Sequence, residues 1–151
     1  MNGDAGFVVT NRAAGAMRTR AAADVVVRRF AVGVDEPPAR GGDDTAPTPL
    51  EYVLVALCGC TNVTAGRMAA KLRFAYDDLR TEAEAELDLR GRRGEADVPV
   101  HYRAVRLTVR ICTDEPDERI ARLADLVGRY CPVDSLVRAA VPDYEVRWER
   151  L

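Results

Sequence analysis

The stretch from Thr48 to Lys71 is the feature that most constrains the fold of this chain. Its start has the composition of a helix N-terminus, because Thr48 can cap, Pro49 suits the first turn and Glu51 completes a capping box. The residues that follow are apolar on nearly every side and leave no wide polar stripe. We therefore predict a long core helix that other structure covers on most sides.

The predicted helix is long enough to span a bilayer, but its composition argues against that. Glu51, Asn62 and Arg67 are polar or charged, and two glycines interrupt the run. The N-terminal residues also lack the basic start and apolar centre of a secretory signal. We therefore expect a cytoplasmic protein with no membrane partner.

Length and charge indicate one ordinary domain, residues 1–151. A chain of 151 residues is long enough for one proper core. The formal net charge is -2 and no basic patch stands out, so nucleic acid is not an expected partner.

The segments before the helix predict a small sheet followed by a loop. From Gly6 to Val34 the chain is rich in valine and small residues, which favours three short strands in a meander. Residues 35–47 contain three prolines and two adjacent glycines, which predicts a rigid loop into the helix. The predicted strands are Phe7–Thr10, Met17–Ala22 and Asp24–Val34, with a turn centred on Gly15.

The segments after the helix predict a hairpin, two further helices and a closing strand. Apolar and polar residues alternate from Leu79 to Arg90 and from Val105 to Cys112, with Cys112 on the polar face. The order of elements is α+β, and so few elements cannot cover the long helix. We therefore predict that a second copy of the chain, in a two-fold dimer, supplies part of the cover. The remaining predictions are a polar turn at 91–98, a helix from near Pro116, a short helix from Pro132 and a strand at 144–149.

The cysteines are the candidate reactive groups. Cys58 and Cys60 point about 200° apart on a helix, so only one of them can face a given site. Cys60 shares its face with Arg67, whose charge favours a thiolate. Cys131 precedes the short helix, where unpaired N–H groups also favour a thiolate. Two such thiols suit a redox pair, although buried cysteines more often only pack.

Metal binding and hydrolysis fit these residues poorly. A C-x-C within a helix, a distant third cysteine and the solitary His101 do not resemble zinc-ligand spacings. The same histidine would have to serve as the base of any serine or cysteine hydrolase, and it lies in a predicted turn. We expect no metal and no bound cofactor.

Two segments together resemble the OsmC/Ohr family of osmotically inducible and organic hydroperoxide resistance proteins. They are DEPPARGGDDTAPTPLEYVLVALCGCTNVTAGRMA and, some seventy residues later, CPVDSLV. The resemblance implies an intertwined α+β homodimer with the long helices at its centre. It also implies a thiol-dependent peroxidase for organic hydroperoxides, which an external dithiol, such as a dihydrolipoyl protein, then reduces.

Carried over by motif, Cys60 is the cysteine that attacks peroxide and Cys131 is the resolving cysteine. Arg18 and Glu51 are the nearest candidates for the family's assisting arginine and glutamate. The glutamate of the hydroperoxide-resistance branch lies one residue earlier, where this chain has Leu50. On a straight helix Glu51 lies about 180° from Cys60, so it is either only a cap or a partner to the other subunit's site.

Two alternatives to a peroxidase stay open at this point. The leucine at position 50 is compatible with a dimeric module that binds a small apolar or electrophilic ligand with little turnover. The second alternative is a structural dimer whose cysteines only pack.

Overall fold

A computed structural model describes residues 7–151 of the chain. Residues 1–6, including Gly6 at the start of the predicted meander, lie outside the described part. The chain divides into two compact units, one ending at Tyr52 and the other formed by Val53–Leu151. Strands and helices in both units confirm the predicted α+β class. The assignment of residues 1–151 to one domain stays a prediction.

The N-terminal unit contains a three-stranded antiparallel meander, as predicted, but with different boundaries. Gly15 lies within a strand rather than a turn, and Phe7–Thr10 is not a strand. The predicted strand Asp24–Val34 is broken at Arg28, whose φ of 56° reverses the chain. Two arginines at a turn give no glycine or asparagine signal, which explains the error. The strands are β1 (Ala14–Met17), β2 (Ala23–Val27) and β3 (Phe30–Val34).

The loop after β3 is fixed by the buried carboxylate of Asp35. This carboxylate accepts hydrogen bonds from the backbone N–H groups of Glu36 (2.8 Å), Asp43 (3.3 Å) and Thr45 (3.1 Å). The Thr45 hydroxyl donates a fourth bond at 2.8 Å. These donors hold the pKa of Asp35 below its usual value, the Thr45 hydroxyl contributing most. At Gly42 a Cβ atom would lie 1.7 Å from the Glu36 carbonyl oxygen, so only glycine fits.

Helix α1 (Pro49–Leu72) begins with the predicted capping box. The Glu51 carboxylate accepts from the Thr48 N–H at 2.7 Å, and the Thr48 hydroxyl accepts from the Glu51 N–H at 3.2 Å. Within the C-terminal unit one side of α1 is buried, whereas Val55 and Val63 are 57% and 65% exposed. The chain therefore covers one side of this helix. Its buried residues are Leu57, Thr61, Thr64, Ala65, Met68 and Ala69.

Among the described residues, α1 is the helix that is long and apolar enough to cross a membrane by length and composition. The core helix of a soluble protein passes the same test. The packing of Ala65, Met68 and Ala69 into the core of the C-terminal unit is typical of such a core helix.

The C-terminal unit contains a sheet in the order β4-β5-β6, where β4 is Asp78–Glu86, β5 is Ala104–Cys112 and β6 is Asp143–Arg150. The predicted antiparallel pairing of β4 with β5 and the closing strand are confirmed, and β6 runs parallel to β5. Cys112 lies on the half-buried outer face, as predicted. The predicted strand Leu79–Arg90 ends earlier, at Glu86. A short helix, α2 (Leu89–Arg93), which Asp88 caps and Gly94 ends, spans the boundary between that predicted strand and the predicted turn.

Two helices connect β5 to β6, namely α3 (Asp117–Tyr130) and α4 (Pro132–Ala140). Both starts agree with the prediction, since Pro116 immediately precedes α3 and Pro132 is the first residue of α4. One apolar cluster joins α1, β5 and α3, and the junction of α3 with α4 lies in it. Its buried members are Ala65, Met68, Ala69, Phe74, Ile111, Ile120, Leu123, Val127 and Cys131.

Candidate active site

Cys131 lies at the junction of α3 and α4 and is 1% exposed. Its backbone N–H donates to the Val127 carbonyl at 2.9 Å, which closes the end of α3. Its Sγ atom accepts from the Asp134 N–H at 3.5 Å, so the same residue caps the start of α4. One residue therefore ends one helix, begins the next and places a thiol in the core.

Cys60 lies on α1 and packs, half-buried, against the same apolar cluster. That cluster includes Cys131, and the Cys60 thiol lies close enough to raise the pKa of the Cys131 thiol. All four cysteines of the chain are free, and Cys58 is also half-buried. The structure therefore brings together the two cysteines that the motifs single out, although they lie some seventy residues apart.

The pKa of the Cys131 thiol is raised above its usual value. Burial is the main cause, and the neighbouring Cys60 thiol adds to it. The Asp134 N–H and the Thr64 hydroxyl act in the opposite direction and do not offset burial. The predicted stabilisation of a Cys131 thiolate by the helix start is therefore wrong in its net effect. The hydrogen bond exists, but the apolar surroundings outweigh it.

Asp134 links this junction to the last strand. This residue is 2% exposed, and its carboxylate accepts a hydrogen bond from the Tyr144 hydroxyl at 2.5 Å. Arg138, one turn further along α4, forms an ion pair with it at 3.2 Å. Burial and the carboxylate together raise the pKa of Tyr144, which stays a hydrogen-bond donor. This network was not predicted from the sequence, although the spacing of Asp134 and Arg138 by four residues on a short helix is a signal for it.

The other predicted site residues lie in the N-terminal unit and make contacts there. The Arg18 guanidinium donates to the Thr45 hydroxyl at 3.0 Å and lies 3.6 Å from the Asp24 carboxylate. The pKa of Glu51 is lowered, chiefly by the hydrogen bond from the Thr48 N–H. Glu51 is therefore a cap in this structure. Catalytic roles for Arg18 and Glu51 stay predictions, and Arg67 is exposed on α1.

Within residues 7–151, no group of three or more histidine, cysteine, aspartate or glutamate side chains is placed to hold a metal ion. The ring Nδ1 of His101 lies 2.9 Å from its neighbour's carbonyl oxygen, that of Tyr102.

The fold and the two neighbouring thiols define a class of α+β proteins in which one cysteine lies on a long core helix and a second cysteine packs beside that helix. The family model described as OsmC-like protein matches residues 41–144 of this chain. This match includes the second half of the loop, the helix α1, both cysteines and the helices α3 and α4. The chain therefore belongs to the OsmC family, as the motifs predicted.

Solved structures of the same fold cover nearly the whole chain. An OsmC-like protein from Mycoplasma pneumoniae aligns with a TM-score of 0.79 and 16% identity, over 95% of this chain and 96% of the other. The protein from Legionella pneumophila described as an organic hydroperoxide resistance protein OsmC gives 0.71 and 17%, over 94% and 98%. An organic hydroperoxide resistance protein from Elizabethkingia anophelis gives 0.74 and 13%, over 95% and 98%. No curated protein matches the sequence significantly.

Proposed function

We propose that this protein is a thiol-dependent peroxidase that reduces organic hydroperoxides, with Cys60 as the attacking residue and Cys131 as the resolving residue. The packing of Cys60 against the apolar cluster that contains Cys131 carries the proposal, because a sulfenic acid at Cys60 would form beside the thiol that must condense with it. Two of the similar structures are described as organic hydroperoxide resistance proteins, which agrees with this substrate class.

The surroundings of the two thiols support this order of events. Cys131 is buried and its pKa is raised, so it is a protonated thiol at neutral pH and a poor first nucleophile. Cys60 is half-buried and therefore within reach of a small molecule. The buried Cys131 thiol is therefore protected, whereas the more accessible Cys60 thiol reacts with the peroxide.

The proposed reaction balances in three steps. The Cys60 thiolate attacks the outer peroxide oxygen, the O–O bond breaks, and the leaving alkoxide takes up a proton to become the alcohol. The Cys131 sulfur then attacks the Cys60 sulfenic acid, which forms the disulfide and releases water. An external dithiol reduces the disulfide by exchange and is itself oxidised. We propose a dihydrolipoyl protein as this reductant and the cytoplasm as the location.

We also propose that two chains form a homodimer along the exposed side of α1. Val55, Gly59 and Val63 follow one another at intervals of four residues, and all three are exposed. A Cβ atom at Gly59 would meet no other atom within 4 Å, so a partner helix can approach closely there. In such a dimer Arg18 and Glu51 can assist either their own chain's site or the partner's.

Mass spectrometry and activity of matched cysteine variants test the proposal. We expect Cys60→Ser to lose at least about 100-fold in turnover of an organic hydroperoxide with a dithiol, since it lacks the nucleophile. Cys58→Ser is the matched control, two residues away on the same helix, and should keep its activity. Cys131→Ser should accumulate a sulfenic acid at Cys60. Full activity of Cys60→Ser would overturn the proposal.

The second candidate function is a dimeric module that binds a small apolar or electrophilic ligand with little turnover. Leu50 favours it, because that position holds a glutamate in the hydroperoxide-resistance branch. The same experiment separates the two functions. A single equivalent of peroxide consumed without multiple turnover would support the binding module, whereas rapid multiple turnover would exclude it.

A further inference from the structure

We propose that a cleft in the C-terminal unit, distinct from the thiol pair, binds a small uncharged molecule with a compact apolar body and one hydroxyl group. The cleft lies among α1, α3, α4 and the sheet and has a volume of about 160 Å³. Neither Cys60 nor Cys131 lines it. The proposal therefore does not require that Cys60 reacts with peroxide.

The polar anchor of this cleft is the hydroxyl of Thr61. The residue is 1% exposed, and its Oγ1 atom has no hydrogen-bond partner among the described residues. A threonine within a helix ordinarily bonds back to a carbonyl of the preceding turn. A buried hydroxyl without a partner is unfavourable, and a ligand hydroxyl in the cleft would supply the missing bond.

The remaining walls select an apolar body of limited size. Leu107, Val146 and Trp148 line the cleft from the sheet, and Ala124 and Val127 line it from α3. An apolar cavity of about 150 Å³ holds a benzene-sized molecule. The cleft is of similar size, so we infer a guest with about one six-membered ring.

The charges at the cleft favour a neutral guest. Asp134 and Arg138 both line it and form an ion pair at 3.2 Å. Because these two charges already pair with each other, neither is free to compensate a charged guest for its lost hydration. An uncharged alcohol avoids this penalty and still bonds to Thr61.

Cyclohexanol is the probe that this chemistry defines, and Trp148 supplies the signal because it is the single tryptophan of the chain. We expect a saturable change in the tryptophan fluorescence of the full-length protein as cyclohexanol is added. Cyclohexanecarboxylate, which has the same ring but a negative charge, should bind more weakly. Equally tight binding of the carboxylate would contradict the inference of a neutral guest.

The matched variants are Thr61→Val, which removes the hydroxyl at nearly constant shape, and Thr61→Ser, which keeps it. We expect Thr61→Val to weaken cyclohexanol binding roughly fivefold, the effect of one ordinary hydrogen bond. Thr61→Ser should bind within about twofold of the wild type. Equal affinity in Thr61→Val and the wild type would overturn the role of Thr61.

A variant that fills the cleft tests the proposal even if the threonine variants unfold. Ala124→Leu enlarges a residue on the cleft wall, leaves Thr61 unchanged and suits a helix. We expect it to abolish the fluorescence response while its circular dichroism stays that of the wild type. A folded Ala124→Leu protein that still binds cyclohexanol, or a wild type without a saturable response, would show that the cleft is not this site.

Discussion

The starts of α1 and α4 have the same sequence pattern and different contacts. Each consists of a capping residue, a proline, an aliphatic residue and an acid: TPLE from Thr48 and CPVD from Cys131. In both, the N–H of the acid donates to the capping side chain, at 3.2 Å to the Thr48 oxygen and at 3.5 Å to the Cys131 sulfur. The difference begins with the carboxylate.

The carboxylate of Glu51 accepts a hydrogen bond from the Thr48 N–H, which completes the capping box. The carboxylate of Asp134 instead accepts a hydrogen bond from Tyr144 and forms an ion pair with Arg138. It cannot bond to the Cys131 N–H, because that group donates to a carbonyl at the end of α3. Sulfur is a weak acceptor, so the cap at α4 contributes less than an oxygen cap. The same local pattern thus starts a helix in both places, and at α4 it also holds a buried thiol that accepts a weak hydrogen bond.

Among the variants that test this comparison, we expect Tyr144→Phe to have the largest effect on stability. The variant leaves the buried Asp134 carboxylate with Arg138 alone, and a lost hydrogen bond to a buried charge costs about 2 kcal/mol of unfolding free energy. Urea unfolding measures the change. Tyr130→Phe, at a residue 56% exposed, is the matched control and should have little effect. Equal stability of Tyr144→Phe and the wild type would show that the Asp134 network does not stabilise the α4 start.

A smaller effect is expected from Thr48→Ala, which removes the oxygen cap of α1. Loss of such a cap destabilises by about 1 kcal/mol, again measured by urea unfolding. Thr48→Ser keeps a hydroxyl at the same position and should recover most of the loss. If Thr48→Ser is as unstable as Thr48→Ala, the hydroxyl is not what stabilises the helix start.

The smallest effect is the pH dependence that Glu51 contributes. Its pKa is lowered from the usual 4.5, so its stabilising contribution is present above about pH 4.5 and is lost as the pH falls through the lowered value. Glu51→Gln should therefore be slightly less stable than the wild type at pH 7, and the difference should shrink as the pH falls below 4.5. Thermal unfolding across this range checks the sign, and a difference that grows toward acid pH would contradict it.

The features set by adjacent residues could be predicted from the sequence. They include the start of α1, the start of α4, the hairpin of β4 with β5 and the position of Cys112. The motif resemblance supplied the pairing of Cys60 with Cys131, which no local pattern contains. The start of the short helix α2 at Asp88 and its end at Gly94 were also visible as cap residues, but the sequence pattern assigns Asp88 to a strand and Gly94 to a turn.

The features set by distant partners could not be predicted. The loop depends on Asp35, whose partners include Thr45, ten residues away. The raised pKa of Cys131 depends on how deeply α1 and α3 bury it, which periodicity does not measure. The orphan hydroxyl of Thr61 is likewise a property of the packed structure. In each case the deciding contact joins segments that sequence patterns treat separately.

The apolar cluster around Cys131 also has a consequence for how the chain acquires its chemistry. It joins α1 to α3, so its contacts span about fifty residues and form only after a long loop has closed. Until then Cys131 lacks the burial that raises its pKa and is an ordinary, accessible thiol. The distinction between the two cysteines is therefore acquired during folding, and in the unfolded chain both thiols are open to oxidation.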